Sequence, residues 1–444
     1  MRVTGQGNLT KAGLAAAVAL TLAGCMESAL QVTRSPLTAL GLERDAEAAP
    51  ATAPMAAQMQ DGTTSEIIDG LLNRRSILPD GPYREIAEAV MAANARAAEA
   101  ELRAARLREE ARASNWLPTL GPNVSLTSLG SVVSSLVVEQ VLWDNGRKRA
   151  ERDYAKHDVE VAAVTLAQDS NDRVLEALTL YLRAGQALAR AEVNASAMAR
   201  MDRFDYIMSE RVRGGVSSRV DLQIVRQKRD QMQADLASDR EAASAALAEL
   251  QAMSARPLDG ITGLSDLGTE HAAEPLSVMK AQAEADRAMA EARASRAGLL
   301  PSLTARGSVG SEGSDGGLNL GGAAFGLGTG ADLAALEQQQ QAVQARVGQV
   351  REDTTRKLRA LEGELASLQR QAAQAQTLAA QAASNFDIYS AQQREGTRSV
   401  NEVVSIFETK VRTEREAAAL RYDVARVTLE IAALKGVLVD GDAI

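Results

Sequence analysis

The sequence predicts a mainly α-helical protein with a small membrane-type β part, laid out as two tandem copies of one helix–strand–strand–long helix–helix unit. Three observations carry this. Only 3% of the 444 residues are aromatic, and Ala, Leu, Gln, Glu and Arg dominate, the composition of long helices packed closely on small side chains. Two stretches, Arg147 to about Arg213 and Ala331 to about Arg394, hold no proline, so each reads as one unbroken helix. A unit of about 180 residues recurs, too long for a solenoid repeat and better read as duplication.

The first residues read as targeting sequence. Arg2 and Lys11 supply a weakly basic start, and Gly13 to Leu22 is an apolar run too short to span a bilayer. The run closes on Leu22-Ala23-Gly24-Cys25, which resembles the bacterial lipobox, so residues 1–24 are expected to be a lipoprotein signal peptide and Cys25 the lipidated residue. Met26 rather than Asp follows the Cys, which implies sorting to the outer membrane. Residues 25–65 lack a period and read as a tether between lipid and fold. A single Cys rules out an intrachain disulfide, and a net charge of −9 argues against nucleic acid, which requires a basic stripe.

The first repeat is placed at 66–256. A helix over about Tyr83–Ser114 runs into Ala111-Arg112-Ala113-Ser114-Asn115-Trp116-Leu117-Pro118, where proline disfavours helical geometry in the residue before it. The period then changes to two. Leu120, Pro122, Val124 and Leu126 alternate with Gly121, Asn123, Ser125 and Thr127, and a second strand is expected at about Val132–Leu142. The long helix follows, then a Gly-centred turn at about 213–219 and a return helix from Val220 to about Met253.

A linker at 257–271 leads to the second repeat, 272–444. Its helix closes on Leu300-Pro301. Leu303, Ala305, Gly307 and Val309 alternate with polar residues, and a further strand is expected at about Leu318–Leu327. The second long helix shows a sustained heptad of Leu361, Leu368, Ala375 and Ala382 interleaved with Leu358, Leu365, Ala372, Ala379 and Phe386. A turn at about 394–400 and a return helix from Val400 to about Val437 complete it. In both copies the two shorter helices together match the long one, so strands are expected at one end of a rod and turns at the other. Four strands cannot close a barrel, and an open edge in lipid leaves backbone groups unpaired, so several chains must pool their strands if these enter a membrane.

The turns share one design. Arg213-Gly214-Gly215-Val216-Ser217-Ser218-Arg219-Val220-Asp221 and Glu395-Gly396-Thr397-Arg398-Ser399-Val400-Asn401-Glu402 each give Gly, Ser three later and an acid six later. Gly suits a left-handed C-cap, Ser an N-cap, and the acid the positive end of the next helix. These residue types are explained by capping alone.

With the duplicated unit, the two turns and the strand end Gln140-Val141-Leu142-Trp143-Asp144-Asn145-Gly146 in view, the chain resembles the TolC family of outer-membrane efflux proteins over roughly Glu66 to Leu438. The resemblance implies a homotrimer in which an α-helical coiled-coil barrel continues into a 12-stranded β-barrel. It also implies partnership with a periplasmic adaptor and an inner-membrane pump or ABC transporter, in efflux or type I secretion. On the same basis Gly215, Val216, Ser218, Gly396, Thr397 and Ser399 are expected to meet the adaptor. Asp221, Arg398 and Glu402 are expected to form the periplasmic gate, through an Arg398–Asp221 link and an acidic ring at Glu402. The chain departs from the family at Gln393, where an aromatic is usual, at Ser405, where a second acid is expected, and in lacking a Trp-Asp segment in the second copy.

No catalytic constellation, cofactor site or metal site is expected. The two histidines, His157 and His271, lie far apart without a further Cys, and His157 reads as a solvated helix-face residue. The Gly-rich stretch 310–330 lies in the strand region and reads as a hairpin, not a phosphate loop. A structural coiled-coil lipoprotein without channel activity is the rival reading. It offers no reason for amphipathic strands or for balanced helix lengths.

Overall fold

A computed structural model describes residues 65–93, 97–126, 132–258, 260–267, 273–310, 313–321 and 328–442. The expected signal peptide, Cys25, most of the tether and His271 lie outside the described residues. The chain runs α1 (Glu66–Leu72), α2 (Pro82–Met91), α3 (Ala97–Ala113), β1 (Thr119–Leu126), β2 (Val132–Trp143), α4 (Arg147–Arg213), α5 (Arg219–Met253), α6 (Leu276–Gly298), β3 (Ser302–Gly310), β4 (Gly313–Gly321), α7 (Thr329–Arg394) and α8 (Val400–Lys435).

The duplication is visible element by element. α4 has 67 residues and α7 has 66, about 100 Å each at 1.5 Å per residue. In the second copy α6 and α8, of 23 and 36 residues, run back along α7. In the first copy α3 and α5 do the same along α4. Two boundaries differ from the sequence reading. The helix expected over Tyr83–Ser114 is broken after Met91, where Ala92 ends α2. The last strand begins at Gly313, not Leu318, because Gly316 and Gly317 are taken into the ladder opposite Gly307 and Arg306 instead of forming a turn.

The main core lies where α1, α2, the end of α5 and the end of α8 gather around the middle of α4. Leu71, Tyr83, Ile86, Leu178, Leu182 and Leu429 are fully buried there, and Tyr83 meets Tyr181 edge-on at 6.1 Å between ring centroids. Gly185 of α4 lies under the Tyr422 ring, where an added Cβ would come within 2.6 Å of it. The two ends of the folded region are tied together here. Ile77 N donates to Val437 O at 2.9 Å, Gly441 N to Arg74 O at 3.0 Å, and Leu438 N to Asn171 Oδ1 at 2.9 Å. The buried Arg74 guanidinium donates to the carbonyls of Lys435 and Glu274, capping the negative end of α8.

His157 is not the solvated residue that its charged neighbours suggested. Its Nδ1 lies 2.8 Å from Glu160 Oε2, and the other oxygen of that buried carboxylate accepts from Ser65 Oγ at 2.6 Å. The Glu160 hydrogen bond, opposed by desolvation, raises the His157 pKa above 6.5. For Glu160, burial alone pushes upward. The hydrogen bonds from His157 and Ser65 outweigh it and bring the pKa below 4.5. A raised histidine stabilises below its unfolded pKa and loses that contribution as pH rises through the folded value. A lowered carboxylate stabilises above its unfolded pKa and loses it as pH falls. The pair therefore contributes most between about 4.5 and 6.5. Thermal melts from pH 5.5 to 8.5 should show a fall of about 1 kcal/mol on the alkaline side in the parent and none in His157→Gln; equal slopes would remove this role.

The two long helices differ sharply in cover. α4 buries 26 residues along its length, whereas α7, of nearly the same length, buries Thr354, Ala375 and Phe386. Within one chain α7 packs against α8 and α6 along its heptad face, whose positions are buried or half-buried, and most of its remaining surface is open.

Candidate functional site

Two regions stand out, at opposite ends of the long helices. At the strand end β1 to β4 form one antiparallel sheet in the order β1-β2-β3-β4. Register sorts the residues into two faces. Leu120 pairs with Val138, Pro122 with Leu136, Leu136 with Val309, and Ala305 with Leu318, all on one face by the period-2 rule. The opposite face carries Asn123 beside Ser135, Glu139 beside Arg306, and Thr304 beside Asn319. An irregularity between Val141 and Trp143 brings Trp143 opposite Leu303, onto the apolar face. That apolar face is uncovered, Leu318 and Leu320 being 71% and 73% exposed. Within the chain β1 and β4 each have one unpaired edge. Among the described residues no helix is long and apolar enough to cross a membrane.

At the other end are the two turns, built alike. α4 closes with Gly215 at φ +74°, Gly215 N donating to Val212 O at 3.1 Å and Val216 N to Arg211 O at 2.8 Å. α7 closes with Gly396 at φ +79°, Gly396 N donating to Gln393 O and Thr397 N to Gln392 O, both at 3.0 Å. Both are Schellman closures, which need a residue free to adopt positive φ. Each turn then opens the next helix with a reciprocal capping box. Asp221 N donates to Ser218 Oγ while Ser218 N donates to Asp221 Oδ2, and Glu402 and Ser399 repeat the pattern. These hydrogen bonds from the Ser399 backbone and hydroxyl hold the exposed Glu402 carboxyl below its usual pKa. Beneath the turns Phe204, Phe386 and Phe407 cluster, with Phe386 and Phe407 centroids 5.0 Å apart. Above them Val216 and Val220 project into solvent, 68% and 63% exposed.

The structure rearranges the expected gate contacts. Asp221 does not meet Arg398 within the chain. Its Oδ1 accepts from Asn401 Nδ2 at 2.7 Å. Arg398 turns back along its own hairpin, donating to Gln392 Oε1 at 3.1 Å and Glu402 Oε1 at 3.5 Å, with its guanidinium 4.8 Å from the Tyr389 ring centre. A four-residue separation explains the Glu402 contact, since residues four apart share a helix face. Tyr389, one turn before Gln393, supplies the aromatic that the motif lacks at 393 itself. The Asn401 bridge was not foreseen, since aligning the two turns sets Asp221 against Glu402 and places Asn401 one residue earlier.

No family model matches the sequence, and no curated protein matches it. Solved structures do. The chain is similar to CusC, whose crystal structures concern folding and transmembrane channel formation, at 15% identity and a TM-score of 0.70, over 84% of this chain and 98% of that one. It is similar to the outer-membrane channel OprN at 17% and 0.69, over 87% and 97%, and to the Neisseria gonorrhoeae MtrE outer membrane channel at 17% and 0.62, over 86% and 95%. At these identities the likeness speaks for architecture, and on it the chain has the fold of the TolC-type outer-membrane channels.

Proposed function

We propose that this protein is the outer-membrane channel subunit of a tripartite export system. Three copies assemble into one duct. It takes substrate from a periplasmic adaptor and an inner-membrane pump or ABC transporter and releases it outside the cell, in efflux or type I secretion. The observation that carries this is the sheet: four strands with one bare apolar face, one polar face and two unpaired edges. In lipid every backbone group must be paired internally, so β1 of one copy must meet β4 of the next, and a closed barrel needs at least about eight strands. Three chains supply twelve. The polar face then lines water. The largely bare α7 surface meets a neighbouring copy in the same assembly, completing the helical tube.

The same scheme assigns the rest of the chain. Residues 1–24 are the signal peptide and Cys25 the lipid anchor, with residues 25–65 as tether. Repeats at 66–256 and 272–444 each give one hairpin, joined by 257–271. Gly215, Val216, Ser218, Gly396, Thr397 and Ser399 face the adaptor, with Val216 and Val220 as its apolar contacts. Asp221, Arg398 and Glu402 guard the periplasmic opening. Since Asp221 and Arg398 have other partners within the chain, any link between them joins neighbouring copies.

Planar-bilayer recording tests both levels. The purified protein should give discrete channels of low closed-state conductance, and Arg398→Ser with Asp221→Ala should raise that conductance severalfold, since partly exposed pairs contribute up to about 1 kcal/mol each. Unchanged closed-state conductance in the double variant removes the link. No channels at all would leave the structural coiled-coil lipoprotein as the reading.

A further inference from the structure

The two return helices, α5 and α8, are joined by a ladder of polar bridges with an unusual spacing. Asn401 Nδ2 donates to Asp221 Oδ1 at 2.7 Å, Lys228 Nζ to Glu408 Oε2 at 2.7 Å, and Arg415 Nη1 to Asp235 Oδ2 at 3.1 Å. Each pair is separated by 180 residues, one fewer than the 181 between the matching cap residues Ser218 and Ser399. Along each helix the rungs stand seven residues apart, at 221, 228 and 235 and at 401, 408 and 415. The separation stays constant over two heptads, one residue short of equivalent positions, so α5 and α8 run parallel and in step for about 21 Å. Two further contacts widen the rungs: Lys228 Nζ also donates to Ser405 Oγ at 3.2 Å, and Arg415 Nη2 to Asp239 Oδ2 at 2.7 Å.

We infer that this ladder is a register lock, which holds the two helical hairpins of a chain level and thereby sets the height of both turns at the closing end. The apolar cluster beside it, in which Met201, Met208 and Met232 pack with the three phenylalanines, does not distinguish registers by charge. Apolar contact is non-directional, and methionine repacks readily. The order of charges is what excludes other registers. Sliding α8 by one heptad in one direction would bring Asp221 against Glu408 and Lys228 against Arg415, two like-charge pairs. Sliding it the other way would bring Asp235 against Glu408. Only the observed register pairs an amide with Asp221, a cation with Glu408 and an arginine with two aspartates. Buried or half-buried polar pairs that fix register in parallel helices follow the same logic.

The inference rests on the duct reading in so far as the turns form its closing end, and the test separates the two. Amide hydrogen exchange is measured on the full-length protein at residues 213–218 and 394–399, with closed-state conductance in parallel. Lys228→Glu and Glu408→Lys alone should each speed turn exchange about fivefold and raise closed-state conductance. The double reversal, Lys228→Glu with Glu408→Lys, should restore both to near parental values. An independent rung, Asn401→Ala, should loosen the turns without introducing a charge. Turn exchange unchanged in the single variants, or a double reversal no better than the sum of its parts, would overturn the lock. Rescue of exchange in a protein that forms no channel would keep the lock and defeat the duct.

Discussion

Leu318→Arg is expected to keep this protein out of the membrane fraction once the proposed anchor at Cys25 is removed by exchanging residues 1–25 for a signal peptide without a lipidated Cys. Leu318 sits in the middle of β4 on the bare apolar face, 71% exposed in a single chain, and its register partner is Ala305. An arginine on the lipid face of a membrane barrel costs about 2–4 kcal/mol near the bilayer midplane, and an assembly of three chains bears that cost three times. The neighbouring residue supplies the control. Asn319 lies on the opposite face, beside Thr304, so Asn319→Arg introduces the same charge where the account places water. In this unanchored form, fractionation should recover Asn319→Arg with the outer membrane and Leu318→Arg in inclusion bodies or the soluble periplasm. Equal recovery of the two would mean that the sheet does not enter lipid.

Gly396→Val should abolish export while leaving assembly intact. No atom outside the turn lies within 4 Å of an added Cβ, so the penalty is conformational. At φ +79° a β-branched residue is strained by about 1–2 kcal/mol or more. The Schellman bonds of Gly396 and Thr397 would then break first, moving Thr397, Arg398 and Ser399 from their places at the tip. Gly396→Asn, which tolerates the left-handed region, should retain most export, and Gly215→Val should behave as Gly396→Val does. An export assay beside native electrophoresis decides it. Full export from Gly396→Val would reduce the turns to plain connectors.

Much of this architecture is legible in the residues because it depends on local rules. Leu-Pro closes the helices before each strand pair, a change of period marks the strands, and Gly-x-x-Ser marks both turns, whose capping boxes form as their spacing implies. What escaped reading depends on distance in sequence or on competition among similar partners. Gly313 to Gly317 read as a turn because glycine weakens a strand, yet pairing with β3 holds them in the ladder. Arg398 had acids and an aromatic within reach, and spacing alone does not decide between Asp221 and the trio of Gln392, Glu402 and Tyr389. His157 and Glu160 are three residues apart and share a helix face, but the contact that helps bury Glu160 comes from Ser65, 95 residues away, which nothing local marks. The heptads of α7 look like those of any packed helix. Those positions are buried or half-buried within the chain, and that most of the rest of α7 lies uncovered became visible only beside α4, its equal in length, which buries far more.

That difference leads to the decisive observation. The mass of the full-length protein, measured in mild detergent by light scattering with the detergent contribution subtracted, tests whether the open sheet edges and the bare α7 surface are completed by further copies. The account predicts three chains per particle. A stable monomer, with β1 and β4 each still carrying an unpaired edge, would contradict it.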